Sequence, residues 1–122
     1  MVRQFALPIE IIPAETVRAE DGLALSSRNA YLSAGERKEA PRLYGVLKKT
    51  AAQIEGGARD FQWMDQQAMA ELSRHGWQPD YVAVRRQPDL RQPTERDREL
   101  VVVAAARLGR TRLIDNVEIT LR

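Results

Sequence analysis

Nine consecutive residues, from Asp21 to Asn29, bring together side chains that suit a polyphosphate ligand. An Asp-Gly turn signal comes first, and two serines, an arginine and an asparagine follow within a few positions. Serine hydroxyls and backbone N–H groups donate to phosphate oxygens, and the guanidinium of Arg28 adds a fixed fork of donors with a permanent charge. Because the same residue types occur in ordinary solvated turns, the residues alone leave a phosphate site and a polar turn as alternatives.

The segments around this stretch predict a strand before it and helices after it. Residues 9–12 form a β-branched run between two prolines, typical of a strand that belongs to a sheet outside this chain. Residues 16–29 have mixed polarity and predict a loop. Ser33 and Glu36 have the spacing of a capping box, which predicts the start of a helix. Pro41 predicts a break in that helix, since proline lacks the backbone donor.

Two apolar stripes predict the next two helices. The first runs to the stop signal Gly56-Gly57 and consists of Leu43, Val46, Leu47 and Ile54. The second follows a candidate N-cap, Asp60, and consists of Phe61, Met64, Ala68 and Leu72. We assign three further aromatic residues to the core or to packing between elements rather than to base stacking: Trp63, Trp77 and Tyr81.

The pattern changes to strands after residue 76. Residues 81–84 and 112–121 predict strands, and the apolar run 100–106 is typical of a central strand. A polar loop with two prolines, residues 88–98, and a tight turn at Gly109-Arg110 connect them. The predicted fold is α+β, a two-layer sandwich of about three helical segments packed on a small, mainly antiparallel three-stranded sheet.

Composition narrows the classes of function. The length of 122 residues suits one domain, and 43% apolar with 30% charged residues is ordinary for a globular protein. A net charge of +2 without a basic run does not indicate a nucleic-acid or membrane partner. The chain has no cysteine, which excludes a disulfide scaffold and a Cys-ligated zinc site. With no membrane-spanning stretch or secretion signal in the pattern, we expect a soluble, cytoplasmic protein.

Two separate segments resemble one known family, that of pantoate–beta-alanine ligase. The segment from Pro8 to Leu32 is similar to the junction between the two domains of this family. Residues 101–109 and 111–116 are similar to its closing strands, so the resemblance extends over nearly the whole chain. The two motifs occur in the right order, which makes them more specific together than either is alone.

The resemblance implies a domain organisation. The family has a larger N-terminal nucleotide-binding domain with a His-x-Gly-His-like element, whereas this chain has a single histidine, His75, and no such element. It implies that residues 1–13 are the last strand and linker of a missing N-terminal nucleotide-binding domain. Residues 14–122 would be a C-terminal lid domain that carries the ATP-phosphate loop.

It also implies an activity and a set of site residues. The family condenses pantoate with beta-alanine to pantothenate, in the pathway to coenzyme A, through a pantoyl-adenylate and with release of AMP. Ser26, Ser27 and Arg28 would bind the ATP phosphates and act in catalysis, Val17 would contact the adenine through its backbone, and Leu25 would lie beside the nucleotide. ATP and Mg²⁺ would be held mainly by the missing domain, with no metal ligand in this chain, and the complete enzyme is expected to be a homodimer.

We assign structural roles to the other polar residues near these motifs. Gly22 is expected to supply an unusual backbone angle, and Asp21 and Asn29 to shape the turn. Asp115, followed by Asn116, is expected to make a structural contact with Arg112 or with a helix end. His75 is expected at the end of a helix, where a cation suits the helix dipole.

Two other classes of function stay open on the sequence. The chain could be a stand-alone phosphate-binding or nucleotide-binding module, although the small net charge argues against an RNA backbone as its ligand. It could also be a structural oligomerisation module, in which the first strand pairs with another copy.

Overall fold

The computed structural model describes residues 17–25 and 27–121, with the backbone alone at Ser27 and Arg28. A 3₁₀ helix at Ser27–Tyr31 is followed by three α-helices and three strands: α1 (Ala34–Glu39), α2 (Arg42–Glu55), α3 (Phe61–Arg74), β1 (Gln78–Arg86), β2 (Glu99–Leu108) and β3 (Thr111–Thr120). This confirms the predicted α+β fold. The strand predicted at residues 9–12 lies outside the described residues.

The helices begin where local signals place them. At α1, Glu36 N donates to Ser33 Oγ over 3.1 Å and Ser33 N donates to Glu36 Oε1 over 2.9 Å, a complete capping box. Pro41 separates α1 from α2, as predicted. Asp60 accepts a hydrogen bond from the backbone N–H of Trp63 and caps α3.

The three strands form one antiparallel sheet with the order β1-β2-β3, so β2 is the central strand. A tight turn at Gly109 joins β2 to β3, with a φ of +63°. A Cβ at this position would collide with the carboxylate of Glu36. Glycine therefore lets the first turn of α1 lie directly against the β2–β3 turn.

The helices pack on one face of the sheet and bury both predicted apolar stripes, apart from Phe61, which is partly buried. This helix–sheet core includes Leu47, Ile54, Met64, Leu72, Val102 and Ala104, all at most 1% exposed. A smaller buried cluster lies on the opposite face and contains Tyr81, Ala83, Val101, Val103 and Ala105. Trp77 and Tyr81 are buried as predicted, whereas Trp63 is 49% exposed and lines a surface groove between α2 and α3.

No helix among the described residues is both long and apolar enough to cross a membrane.

Candidate functional site

Residues 17–25, called here the turn segment, fold back on themselves and bring two predicted nucleotide-binding residues together. Leu25 N donates to Val17 O over 2.9 Å, and Arg18 pairs with Ala24 in an antiparallel bridge. Gly22 lies at the tip of the turn with a φ of +96°, as its predicted structural role requires. The predicted loop at residues 16–29 therefore contains a short hairpin and the start of the 3₁₀ helix.

Val17 and Leu25 share an exposed end of this hairpin. Their side chains are 68% and 50% exposed, although both are apolar. The backbone hydrogen bond between them makes them neighbours despite the eight residues that separate them in sequence. The turn segment thus exposes two apolar side chains to solvent at one end of the hairpin.

A polar contact to β3 anchors the turn segment to the sheet. The guanidinium of Arg18 donates to both carboxylate oxygens of Asp115, Nη2 to Oδ1 over 2.8 Å and Nη1 to Oδ2 over 3.0 Å. The same guanidinium lies 4.0 Å from the ring centroid of Tyr44 in α2. The hydrogen bonds that Arg18 donates to Asp115 raise the pKa of Arg18 above its ordinary value, against the opposing effect of partial burial.

This pairing corrects the predicted partner of Asp115. Asp115 does make a structural contact, as expected, but its partner is Arg18 rather than Arg112 or a helix end. Arg112 instead forms an ion pair with Asp80 in β1, with 2.8 Å between Nε and Oδ2. No local sequence signal links Arg18 to Asp115, because 97 residues separate them.

A second, exposed ion pair joins the turn segment to α1. Arg37 Nη1 lies 2.8 Å from Asp21 Oδ2, and both side chains are well exposed. This contact lowers the pKa of Asp21 below its ordinary range. Asp21 also accepts a long hydrogen bond of 3.4 Å from Leu23 N, so its predicted structural role is confirmed.

The candidate phosphate loop, residues 26–28, follows the turn segment directly. Ser26 lies outside the described residues. The backbone of Ser27 and Arg28 forms the start of the 3₁₀ helix, which contacts β3. The roles of these three side chains in phosphate binding therefore stay predictions.

Asn29 links the two sides of the candidate phosphate loop. Its Nδ2 donates to Ala24 O over 3.1 Å, so residues on either side of the loop are joined by a direct hydrogen bond. The backbone N–H of Leu32 donates to Asn29 O, which continues the turn. This confirms the predicted turn-forming role of Asn29.

A surface depression next to the 3₁₀ helix contains residues that sequence reasoning did not select. It is lined by Tyr31, Arg110, Thr111 and Arg112, and Tyr31 is 79% exposed. Tyr31 lies two positions after the motif Asp21–Asn29, Arg110 lies in the predicted β2–β3 turn, and Arg112 follows that turn. The two signals are about 80 residues apart, and only the fold places them together.

The described residues contain no group of three or more His, Cys, Asp or Glu side chains that could hold a metal ion. His75 caps the C-terminal end of α3, as predicted, with Nδ1 2.9 Å from Glu71 O.

Comparison with known proteins identifies the family. The family model for pantoate-beta-alanine ligase matches residues 1–118. A pantothenate synthetase from Nitrosospira multiformis is 56% identical over 120 residues, which cover 98% of this chain and 43% of that protein. Two crystal structures of the Thermus thermophilus pantothenate synthetase superpose with TM-scores of 0.78 and 0.77, at 34% and 36% identity.

Both structural matches cover 93% of this chain and 41% of the Thermus chain. The chain thus spans less than half the length of the relatives that it matches. The family match covers almost all of the 122 residues and agrees with the fold and with the motifs around the turn segment. The chain belongs to the pantoate–beta-alanine ligase family.

Proposed function

We propose that this chain acts as the C-terminal lid domain of an ATP-dependent, AMP-forming ligase that joins pantoate to beta-alanine. The observation that carries the proposal is the family match over residues 1–118. The hairpin adds support, because it presents Val17 and Leu25 together beside the candidate phosphate loop.

The proposed reaction has two steps. A carboxylate oxygen of pantoate attacks the α-phosphorus of ATP, and the bond to the leaving pyrophosphate breaks, which gives pantoyl-adenylate. The amine of beta-alanine then attacks the acyl carbon, loses a proton, and displaces AMP to give pantothenate. Negative charge builds on the departing pyrophosphate in the first step, and oriented donors stabilise it there.

We assign that stabilisation to the candidate phosphate loop. Ser26 and Ser27 would donate through their hydroxyls, and Arg28 through its guanidinium. The backbone of Val17 would contact the adenine, and Leu25 would lie against the nucleotide. A loop on a closing domain suits this task, since the site must open to admit ATP and close to exclude water.

The remaining parts of the proposed site come from outside the described residues. We infer that a nucleotide-binding domain such as the family carries would hold pantoate, beta-alanine, most of ATP and the accompanying Mg²⁺. The enzyme would act as a cytoplasmic homodimer in the pathway to coenzyme A, with no nucleic-acid or membrane partner. The 122-residue chain alone would be inactive.

The test compares two proteins with the same substrates. The full-length product of the gene that encodes these residues should form pantothenate, AMP and pyrophosphate from pantoate, beta-alanine and ATP. The 122-residue chain should form none of them under the same conditions. Product formation by the chain alone would contradict the lid assignment. A full-length product without ligase activity that still binds phosphate would favour a stand-alone binding module.

A further inference from the structure

We propose that Arg18, Asp115 and Tyr44 form a positioning unit that sets the placement of the candidate phosphate loop. The inference rests on the proposed function and adds residues that act through the loop rather than on the substrate. In this account Arg18 does not touch ATP. It fixes where the groups that bind ATP stand relative to the sheet.

The contacts of Arg18 define the geometry of this unit. Its guanidinium makes a two-point contact with the carboxylate of Asp115, with 2.8 and 3.0 Å between the bonded atoms. Such a fork-to-fork contact fixes orientation as well as distance. The central carbon of the guanidinium lies 4.0 Å from the centroid of the Tyr44 ring. A third element, α2, therefore restrains the same group.

The carboxylate of Asp115 is held in a fixed position by the sheet. Asp115 lies in β3 opposite Ala104 of the central strand and is only 3% exposed. Its Oδ1 also accepts a hydrogen bond from the backbone N–H of Asn116 over 2.8 Å. The carboxylate therefore moves only if the strand moves, and the strand is part of the buried sheet.

Arg18 connects the turn segment to this carboxylate. Its Nη1 also donates to Gly22 O over 3.0 Å, which ties the start of the hairpin to its tip. Gly22 fits closely against α2, since a Cβ there would lie 2.5 Å from Cδ2 of Tyr44. Arg18 and the ring that it contacts therefore orient the hairpin on the domain, beside the buried side chain of Leu23.

The hairpin in turn fixes both sides of the candidate phosphate loop. Leu25 N is bound to Val17 O, next to Arg18 in the chain, and Ala24 O accepts from Asn29 Nδ2. Any shift of Arg18 thus moves the residues on both sides of the loop. A displacement of about 1 Å of a group that acts on the transition state can cost about a hundredfold in rate.

The test uses the full-length gene product and measures the rate of adenylate formation in single turnovers. Arg18→Lys keeps the charge but loses the two-point contact, and Asp115→Asn keeps the shape but loses the charge. We expect each to slow this step by about 10- to 100-fold. The KM for pantoate should change by no more than about twofold, because the proposed role of the loop is to bind the ATP phosphates and not pantoate.

Three comparisons separate positioning from a merely structural role. Asp21→Asn removes the other ion pair of the turn segment and should leave the rate of adenylate formation unchanged. The double variant Arg18→Ala/Asp115→Ala should form adenylate no more slowly than the slower of Arg18→Ala and Asp115→Ala, since the two residues act as one unit. Tyr44→Phe keeps the ring face and should be slowed less than Tyr44→Leu.

The outcomes distinguish this inference from the proposed function. If Arg28→Ala slows adenylate formation while Arg18→Lys and Asp115→Asn stay within about twofold of the parent, the positioning unit is wrong and the proposed function stands. If Arg28→Ala also leaves the rate unchanged, the proposed role of the loop fails and the inference fails with it. Equal slowing by Asp21→Asn, in proportion to lost thermal stability, would reduce Arg18 to a structural role.

Discussion

The turn segment and the helix–sheet core are held in different ways. The core is apolar and almost fully buried, with Leu47, Ile54 and Leu72 at 0% exposure. The turn segment buries one side chain, Leu23, in this core, exposes two other apolar side chains, and is oriented by polar contacts, chiefly those of Arg18. Burial is non-directional and stabilises a fold, whereas hydrogen bonds and ion pairs specify an orientation. The comparison indicates that burial stabilises the scaffold, whereas the turn segment depends on oriented polar contacts in addition to the burial of Leu23.

The largest expected effect comes from opening a cavity in the core. Leu47→Ala removes a fully buried side chain of α2 and should lower the free energy of unfolding by about 2–5 kcal/mol. Lys48→Ala, its exposed neighbour on the same helix, is the control and should stay within about 0.5 kcal/mol of the parent. Denaturant titration followed by tryptophan fluorescence measures both. Equal effects of the two changes would contradict the assignment of the core.

A smaller effect is expected at the anchor of the turn segment. Arg18→Ala leaves the buried carboxylate of Asp115 without its cationic partner and should cost about 1–3 kcal/mol. Asp115→Asn avoids the unpaired charge and should cost less. Amide exchange should speed up at Leu25 and Ala19, whose N–H groups bond within the hairpin, and stay unchanged in β2. Uniform loss of protection over the whole sheet would make Arg18 part of the scaffold instead.

The pH dependence of stability tests a third contact, the one between α3 and the edge strand β1. Asp65 in α3 accepts a hydrogen bond from Val84 N of β1 over 3.1 Å. Burial raises the pKa of Asp65 from 3.8 to about 7, although this hydrogen bond and Arg85 act in the opposite direction. Between about pH 4 and pH 7, the folded protein therefore keeps a proton on Asp65 that the unfolded chain has lost.

Folding stability should accordingly fall as the pH rises through this window and then level off above the folded pKa of Asp65. Asp65→Asn keeps an oxygen that accepts from Val84 N and removes the titration. Thermal unfolding of both proteins from pH 4 to pH 8 measures the difference. The stability of Asp65→Asn should depend less on pH than that of the parent, and its gain in stability over the parent should be largest at pH 8. Parallel pH profiles would contradict the raised pKa of Asp65.

The smallest effect is expected at the exposed ion pair of the turn segment. Asp21→Asn breaks the contact with Arg37, but water and salt screen charges that are this exposed. The midpoint of unfolding should not change measurably at physiological salt, and thermal melts with and without added salt check this. A clear loss of stability would show that both polar contacts anchor the turn segment, rather than Arg18 alone.

The sequence predicted the features that depend on neighbouring residues. The capping box of Ser33 and Glu36, the break at Pro41 and the turn at Gly109 each follow from side chains a few positions apart, and all three are confirmed. The apolar stripes of α2 and α3 and the continuous run of β2 likewise predicted which residues are buried. The local chemistry of these segments is sufficient to set the fold class.

The features that the sequence missed depend on contacts between distant segments. Arg18 and Asp115 are 97 residues apart, and nothing near either residue selects the other. Trp63 was expected in the core or in packing between elements, and it lines the surface groove between α2 and α3. It lies two positions after Phe61, away from the stripe of α3 that faces the sheet, and is half exposed for that reason. Helical phase, rather than residue type, decides the burial of such a side chain.

The central claim is that this chain supplies the groups that stabilise the departing pyrophosphate. The most direct measurement is the single-turnover rate of pantoyl-adenylate formation by the full-length gene product with Arg28→Ala. Arg96→Ala, which removes an exposed arginine from the loop between β1 and β2, is the matched control. We predict that Arg28→Ala slows this step by about a hundredfold or more with little change in pantoate binding, and that the control does not. An unchanged rate of adenylate formation in Arg28→Ala would contradict the account.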